Sequence, residues 1–582
     1  MFTRPAAGHS GRGLLLASAA MAASIQDGNF ASGDLSTAWN PHGYKRAAMG
    51  TPTNPLIPKS FADLSMSNQD VNDYTTQSAV LDSVASNTPA NGNLVWPANV
   101  ARINNPARGG NLSSPGGDHT RASSVQQEFT VATADIDTDP VRGQNKVHVR
   151  FLGAPMLESA GHTGESLPYY FIDLVKDAGT VNEKVLYTSY NYAAQAGVQW
   201  SSVTIGGNTY AYTNWVDYDI PLDANDIQAG DKVQLRVTAA GCSATLHAGA
   251  FYLRDVRTEI ESAQANTLWI TAEGPTAVYS HDAGVTYTDI TYTYTYTNNG
   301  TTTVNNVVVQ PALPVTSNIR NLADKQRTTF VSITNPTFGV GTCTAPAGVE
   351  PVSVDTPWQA SCTIGTLAPG ETGTFTMTVR VPADTQADSV NNGYYPISGD
   401  SVAASTGQLV QTALLADLVP DVSKVPTSMP FGQPVPAGAQ FSCTNNGSTI
   451  AIGATCNISG LPGGVTVGQC TMDGANWNGP GNVPIGKTVV CPITGTPNDP
   501  ADNQPGKTVN IKVTGNSTNG SPTAGVTGNV VPVAGAGGGG GVPVGPVAAA
   551  SASIPTLSEW GLITLSALMG LFVVGVGRRR ML

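Results

Sequence analysis

Apolar residues in this chain recur at every second position far more often than at helical spacing. In residues 146–152, Val147, Val149 and Phe151 fall on one side and Lys146, His148 and Arg150 on the other. Val233, Leu235 and Val237 repeat the pattern after a Gly230-Asp231 turn. Residues 290–296 read Ile-Thr-Tyr-Thr-Tyr-Thr-Tyr, aromatic rings on one face and threonines on the other. A period of two belongs to a pleated strand with one buried face, and β-branched and aromatic residues favour it. Asn298-Asn299-Gly300 predicts a turn tolerant of positive φ, with residues 304–309 returning as the partner strand. Leu367-Ala-Pro-Gly-Glu371 predicts a second turn, feeding a strand through Phe375, Met377, Val379 and Val381. Further on, Phe441 to Gly447 mirrors the aromatic strand and its Asn-Gly turn, and Leu461-Pro-Gly-Gly464 echoes the proline–glycine turn. Strands are expected at 489–491 and through Val509, Ile511 and Val513. The fold class is all-β.

Three stretches break the pattern. Residues 40–125 are rich in Asn, Pro, Ser and Gly with little periodicity, and read as a long, loosely structured insertion. Residues 534–553 are Gly, Ala, Pro and Val apart from Ser551 and Ser553, with five consecutive glycines, a linker that cannot pack a core. Residues 561–577 are apolar and uncharged. As a helix they span about 25 Å, short but usable for a hydrocarbon core of about 30 Å. Trp560 suits one membrane interface and Arg578, Arg579 and Arg580 the other. Those arginines stay cytoplasmic under the positive-inside rule, which puts everything before Trp560 on the far side. At the other end Arg4 and Arg12 precede a short apolar stretch from Gly13 to Ala23 with a cleavage option at Ala20-Met21-Ala22, the layout of a signal peptide over 1–24.

The last 29 residues resemble a known family of tails. Ile554, Pro555, Thr556 and Leu557 are followed by Trp560 and Gly561, then the apolar run, then the arginine cluster. This order resembles the bacterial IPTL-CTERM protein-sorting tail, a relative of the PEP-CTERM tail. The resemblance implies export, then recognition and cleavage by a membrane-embedded sorting protease of the exosortase type, with the inner membrane holding the precursor.

Two further resemblances divide the rest. Asp27-Gly-Asn-Phe-Ala-Ser-Gly33, leading to Trp39, looks like the first strand of galactose-binding-like jelly rolls, and residues 241–256 resemble the closing strand. A jelly-roll head over 25–260 is expected. Related modules often bind a structural calcium near the opening Phe-Glu and the closing Asp; Asp255 matches the latter, whereas Ala31 replaces the Glu. The aromatic strand ending in Asn-x-Gly, with the later turn Gly365 to Gly370, resembles an Ig-like surface repeat catalogued as domain of unknown function eleven. Two Ig-like β-sandwiches are therefore expected, at 267–415 and 417–533.

At 582 residues the chain has room for three or four domains, and 40% hydrophobic residues supply their cores. Only 12% of residues are charged, and the net charge of −12 offers no basic stripe for nucleic acid. All seven cysteines follow residue 240. Export makes disulfides available: Cys343 with Cys362, and two more among Cys443, Cys456, Cys470 and Cys491, with three connectivities open. Cys242 is left over and reads as a buried thiol. No CxxC occurs and no histidine follows His281, which argues against a metal centre.

Little else carries chemistry. Gly481 to Thr488 satisfies the phosphate-loop pattern, but Val489-Val490-Cys491-Pro492 cannot begin the helix that phosphate binding needs, so a β-turn is expected. Asp135-Ile-Asp137-Thr-Asp139 suggests a calcium loop, but Pro140 and Lys146 occupy the places of its glycine and closing glutamate. A solvated turn is the expectation. His119 beside Asp118, and His162 near Glu165, read as surface pairs; HExxH and GxSxG are absent, and no enzyme is indicated. The head holds eight aromatics between Tyr187 and Tyr218 that suit a sugar-stacking face or an ordinary core. Trp215, Asp217 and Asp219 alternate onto one face, the best local candidate for a carbohydrate site. The expected role is an exported structural or adhesive protein of the cell surface or extracellular matrix; the alternative is recognition of envelope or matrix polysaccharide by the head.

Overall fold

The computed structural model describes residues 24–45, 60–64, 66, 78–81, 99–104, 121–159, 167–205, 208–242, 247–258, 268–278, 288–319, 321–339, 341–382, 385–502, 504, 507–520 and 526–532. All but residue 24 of the expected signal peptide at 1–24, the expected linker and the whole of the expected sorting tail lie outside them. So do His119 and His162. Two compact units are separated, Met1–Ala534 and Gly535–Leu582. Among the described residues the fold is all-β: helix is confined to short 3-10 turns, and no helix is long and apolar enough to cross a membrane.

The first sandwich pairs two antiparallel sheets. One runs Asn40–Lys45, Arg121–Thr130, Lys232–Ala240, Tyr169–Lys176, Lys184–Tyr192. The other runs Ala79–Leu81, Val100–Ile103, Gly249–Arg257, Lys146–Glu158, Asn208–Tyr212, Ser201–Ile205, with Val216–Leu222 also paired to Lys146–Glu158. Val125, Phe129, Val233, Leu235 and Val237 of the first meet Val147, Val149, Phe151, Ile220 and Phe251 of the second. The opening and closing segments adjoin: the Val256 amide donates to the Gly28 carbonyl at 3.0 Å, and a Cβ on Gly28 would lie 1.8 Å from the Val256 carbonyl oxygen.

Three expectations for this part change. The supposedly loose stretch 40–125 contributes strands of both sheets, and its Tyr44, Leu64 and Ile103 are core residues. Short segments that join a sheet one at a time leave no long periodic run to read. The strand at 146–152 continues to Glu158, and its other face is also covered, since His148 and Arg150 are buried. Asp135 and Asp137 are not in a solvated turn. Both are buried: Asp135 accepts from the Ser24 and Thr258 hydroxyls at 2.6 and 2.7 Å, and Asp137 is held by Arg142 at 3.0 Å.

In the second sandwich the aromatic strand, Thr288–Asn298, keeps its alternation. Tyr292, Tyr294 and Tyr296 are fully buried, and Tyr294 stacks on Phe375 at 4.8 Å. On the outer side Thr291 meets Thr378 at 2.9 Å and Thr297 meets Thr372 at 3.0 Å, cross-strand pairs of the kind that stabilise a sheet. The strand's partners are Leu268–Glu273 and Thr372–Val381. Val304–Val309 is not its hairpin partner; it crosses to another sheet and pairs with Ser361–Leu367 and Ile397–Gly399. The reason is the turn: Asn298 accepts the Gly300 amide at 3.0 Å on its own side chain, so no positive-φ hairpin forms and the chain changes layer.

The third sandwich sets Leu418–Asp421, Gln440–Asn445 and Thr488–Gly495 in one sheet and Gly481–Val483, Ala451–Ser459, Thr508–Asn516 and Val526–Pro532 in another. Trp477 is buried in its core. Leu461–Gly464 does not take the place of the earlier proline–glycine turn; the segment from Val483 to Lys487 does, as its bonds to Asn445 show. Three disulfides select one of the open connectivities: Cys343–Cys362, Cys443–Cys456 and Cys470–Cys491. Cys242 is buried outside the disulfides, its Sγ 3.3 Å from His247 Nδ1.

Candidate functional site

The alternation of 215–219 is real, and it leads away from an open sugar face. On Val216–Leu222 the core side takes Tyr218, Ile220 and Leu222, while Asp217 and Asp219 point from the opposite side of the sheet. That side is roofed by the second sandwich. Asp219 is buried, and its carboxylate lies 2.6 Å from His148 Nδ1 and 3.4 Å from Arg150 Nε. Its backbone amide donates to Gln408 Oε1 at 3.2 Å and its carbonyl accepts from Gln408 Nε2 at 2.9 Å. Asp217 accepts from the Ser405 hydroxyl at 2.6 Å, and its amide donates to the Thr406 carbonyl at 3.1 Å. Trp215 is half-buried and packs against a small cluster with Tyr210, Tyr212 and Tyr252.

Arg150 organises the seam. It is fully buried, donates to the Thr258 carbonyl at 2.9 Å and to Asp137 at 3.2 Å, and its guanidinium sits 5.1 Å from the Trp269 ring centre. Register explains the convergence: Asp219 stands directly opposite Arg150 in the antiparallel pair. Burial by itself would raise the Asp219 carboxyl; Arg150 and then His148 outweigh it and hold the group below the usual carboxylate range. Asp137 behaves alike, burial being overcome by Arg142, the Asp139 amide and Arg150. Burial lowers the Arg150 guanidinium, opposed by Asp219 and Asp137. These are charges with partners, arranged to hold position.

Of the aromatics, Tyr190, Tyr192, Tyr210, Tyr212 and Tyr218 are buried, while Tyr187, Trp200 and Trp215 are half-buried. They belong to cores and seams. The opposite sheet is different. On its outer face, Ser124 and Thr238 stand opposite each other in register, both fully buried, and neither hydroxyl oxygen has a hydrogen-bond partner. Beside them Arg236 forms a two-bond ion pair with Asp173 at 2.6 and 3.0 Å and lies 3.8 Å from the Phe61 ring centre. Burial pushes the Asp173 carboxyl up despite Arg236. Sequence reasoning missed this face, because Ser124 and Thr238 carry no signal until the register brings them together.

Calcium fits poorly. Ala31 offers no carboxylate, and Asp255 is engaged by Arg254 at 2.8 Å. Among the described residues no group of three or more His, Cys, Asp and Glu side chains converges. The phosphate-loop match is a strand–turn–strand: Gly481–Val483 opens it, Gly486 in the turn has φ +72°, and its last residue begins the strand Thr488–Gly495. A helix N-terminus, the element that would bind phosphate, is missing there.

The residues expected to form the sorting motif, Ile554, Pro555, Thr556, Leu557, Trp560 and Gly561, and the arginines Arg578 to Arg580, lie outside the described residues. They are reached by comparison. The family model described as the IPTL-CTERM motif matches residues 552–580, so the chain carries that motif. A search of curated proteins finds no match. Among solved structures the chain is similar to the Caldicellulosiruptor saccharolyticus module CBM27-1 in complex with mannohexaose, at 11% identity, over 40% of this chain and 96% of that one, with a TM-score of 0.19. So low a score carries no argument about either fold or ligand.

Proposed function

We propose that this chain is an exported cell-surface protein of structural or adhesive role, non-catalytic, addressed by its C-terminal tail to an exosortase-type sorting protease. The observation that carries this reading is the IPTL-CTERM match at residues 552–580. The physical logic agrees with it. Pro555 lacks an amide hydrogen and biases Ile554 toward extended backbone, the form a protease cleft accepts. The apolar run holds the precursor in the inner membrane, and Arg578 to Arg580 keep its end cytoplasmic. Three disulfides suit an oxidising compartment outside the cytoplasm. The two later sandwiches, read as Ig-like, serve as a stalk beneath the head.

The test is direct. Replacing Pro555, Thr556 and Leu557 with alanine is expected to leave full-length protein uncut in the inner-membrane fraction. Mass spectrometry of surface-extracted wild-type protein is expected to find no peptide beyond the motif. Mature surface protein that still carries residues 562–582 would make the tail a plain anchor and end the sorting reading.

A second reading, polysaccharide recognition by the head, keeps only the outer face of the sheet opposite the seam, since the side holding Asp217 and Asp219 is covered by the second sandwich. Affinity electrophoresis of the whole protein against envelope polysaccharides tests it. No retardation of the wild type on any polysaccharide counts against this reading.

A further inference from the structure

We propose that the head and the second sandwich are one locked body, held by a docking surface that persists without the peptide connecting them. The docking surface is the outer face of Lys146–Glu158 and Val216–Leu222 together with the segment from Tyr192 to Val198. Its occupant is the chain's own second sandwich, presenting Trp269 from Leu268–Glu273, the segment from Ser405 to Gln408, and Ser317, Asn391 and Gly393.

Three observations on separate parts of the head carry this. At the centre, Arg150 has its counter-charges Asp137 and Asp219 within the head, but Trp269 lies over its guanidinium and Gln408 satisfies both backbone groups of Asp219. A fully buried arginine at an undocked surface would regain water, so the burial depends on the second sandwich. At one side, Asp217 and Gly407 form a parallel bridge, strengthened by the Ser405 hydroxyl. A Cβ on Gly407 would lie 2.5 Å from the Ile270 carbonyl oxygen, which explains the glycine. At the other side, Val198 and Gly393 form a second parallel bridge, Tyr192 and Ser317 share a hydrogen bond at 2.6 Å, and Asn391 donates to the Ala196 carbonyl at 2.8 Å. Rotation about any one of these places breaks the other two.

Domains of one chain ordinarily meet through modest, polar surfaces and move relative to each other. A seam with a buried ion network and two backbone bridges opposes that motion, and a network of this kind specifies one orientation. The head is therefore a fixed end-piece. Load applied to it enters the stalk through this seam, and any ligand of the head must be read from its other sheet.

The experiment uses the full chain with a protease site written into residues 259–267. After cutting, the two parts of the wild type are expected to co-migrate in gel filtration at low micromolar concentration. The Trp269→Ala, Gln408→Ala double variant is expected to release them at least tenfold faster. Wild-type parts that separate on cutting, or variant parts that stay together as long as the wild type's, overturn the proposal. Asp217→Cys with Ser405→Cys in the uncut chain gives an independent readout: the two are expected to crosslink on oxidation, and failure to crosslink also overturns it.

Discussion

Asn445 makes in the third sandwich the same bonds that Asn298 makes in the second. Asn298 Nδ2 donates to the carbonyls of Thr302 and Leu367, each at 2.9 Å, and its Oδ1 accepts the Gly300 amide at 3.0 Å. Asn445 Nδ2 donates to Thr449 and Val483 at 2.9 and 2.8 Å, and its Oδ1 accepts the Gly447 amide at 3.0 Å. The backbones agree too: the amides of Gly370 and Gly486 donate to Asn298 and Asn445 respectively, each at 2.8 Å. One buried amide thus ties the end of a strand to a glycine turn in both sandwiches. The residues that mimic a phosphate loop are the third sandwich's version of that turn.

Removing either amide leaves a buried N–H and two carbonyls short of a partner. Asn298→Ala and Asn445→Ala are each expected to cost about 2 to 3 kcal/mol, against about 0.5 or less for the half-buried neighbour Asn299→Ala. Chemical denaturation of the three variants checks the contrast.

Gly486 has φ +72° with open space where a Cβ would stand. Gly486→Ala is expected to destabilise by about 1 kcal/mol through backbone strain alone. Calorimetric titration of the wild type with Mg-ATP is expected to show no binding heat, since the turn leads into a strand.

Asp219→Asn is expected to cost about 3 to 5 kcal/mol, because it removes one of two counter-charges from a buried arginine. The folded-state carboxyl is held below its ordinary value, so the charge contributes fully above the unfolded value of about 4. Its contribution falls only as pH drops through the depressed folded value. Denaturant unfolding of wild type and variant across pH 2 to 7 is expected to show a constant gap at and above about pH 5, closing only in stronger acid.

Peptide mapping without reduction is expected to recover Cys343 with Cys362, Cys443 with Cys456, and Cys470 with Cys491. The last pair spans 21 residues and the middle one 13, so losing the last is expected to cost slightly more, each near 3 kcal/mol by loop-closure entropy. Paired serine substitutions and thermal melts measure the order.

Several features were legible along the chain because they depend on near neighbours. The all-β class, the buried tyrosines of Thr288–Asn298 and the turn at Gly486 follow from period two and local turn chemistry. The tail was legible for the same reason: a short motif, an apolar run and an arginine cluster are all contiguous. What alternation could not say is what each face would meet. Asp217 and Asp219 were correctly placed on one side of a strand, yet Asp219 meets Gln408, 189 positions away. The destination of Val304–Val309, the choice among cysteine pairings and the burial of His148 and Arg150 depend likewise on surfaces assembled from distant segments. A strand's own residues set which side chains share a face; only the packing of sheet on sheet, and of sandwich on sandwich, decides whether that face meets water, a core or a buried counter-charge.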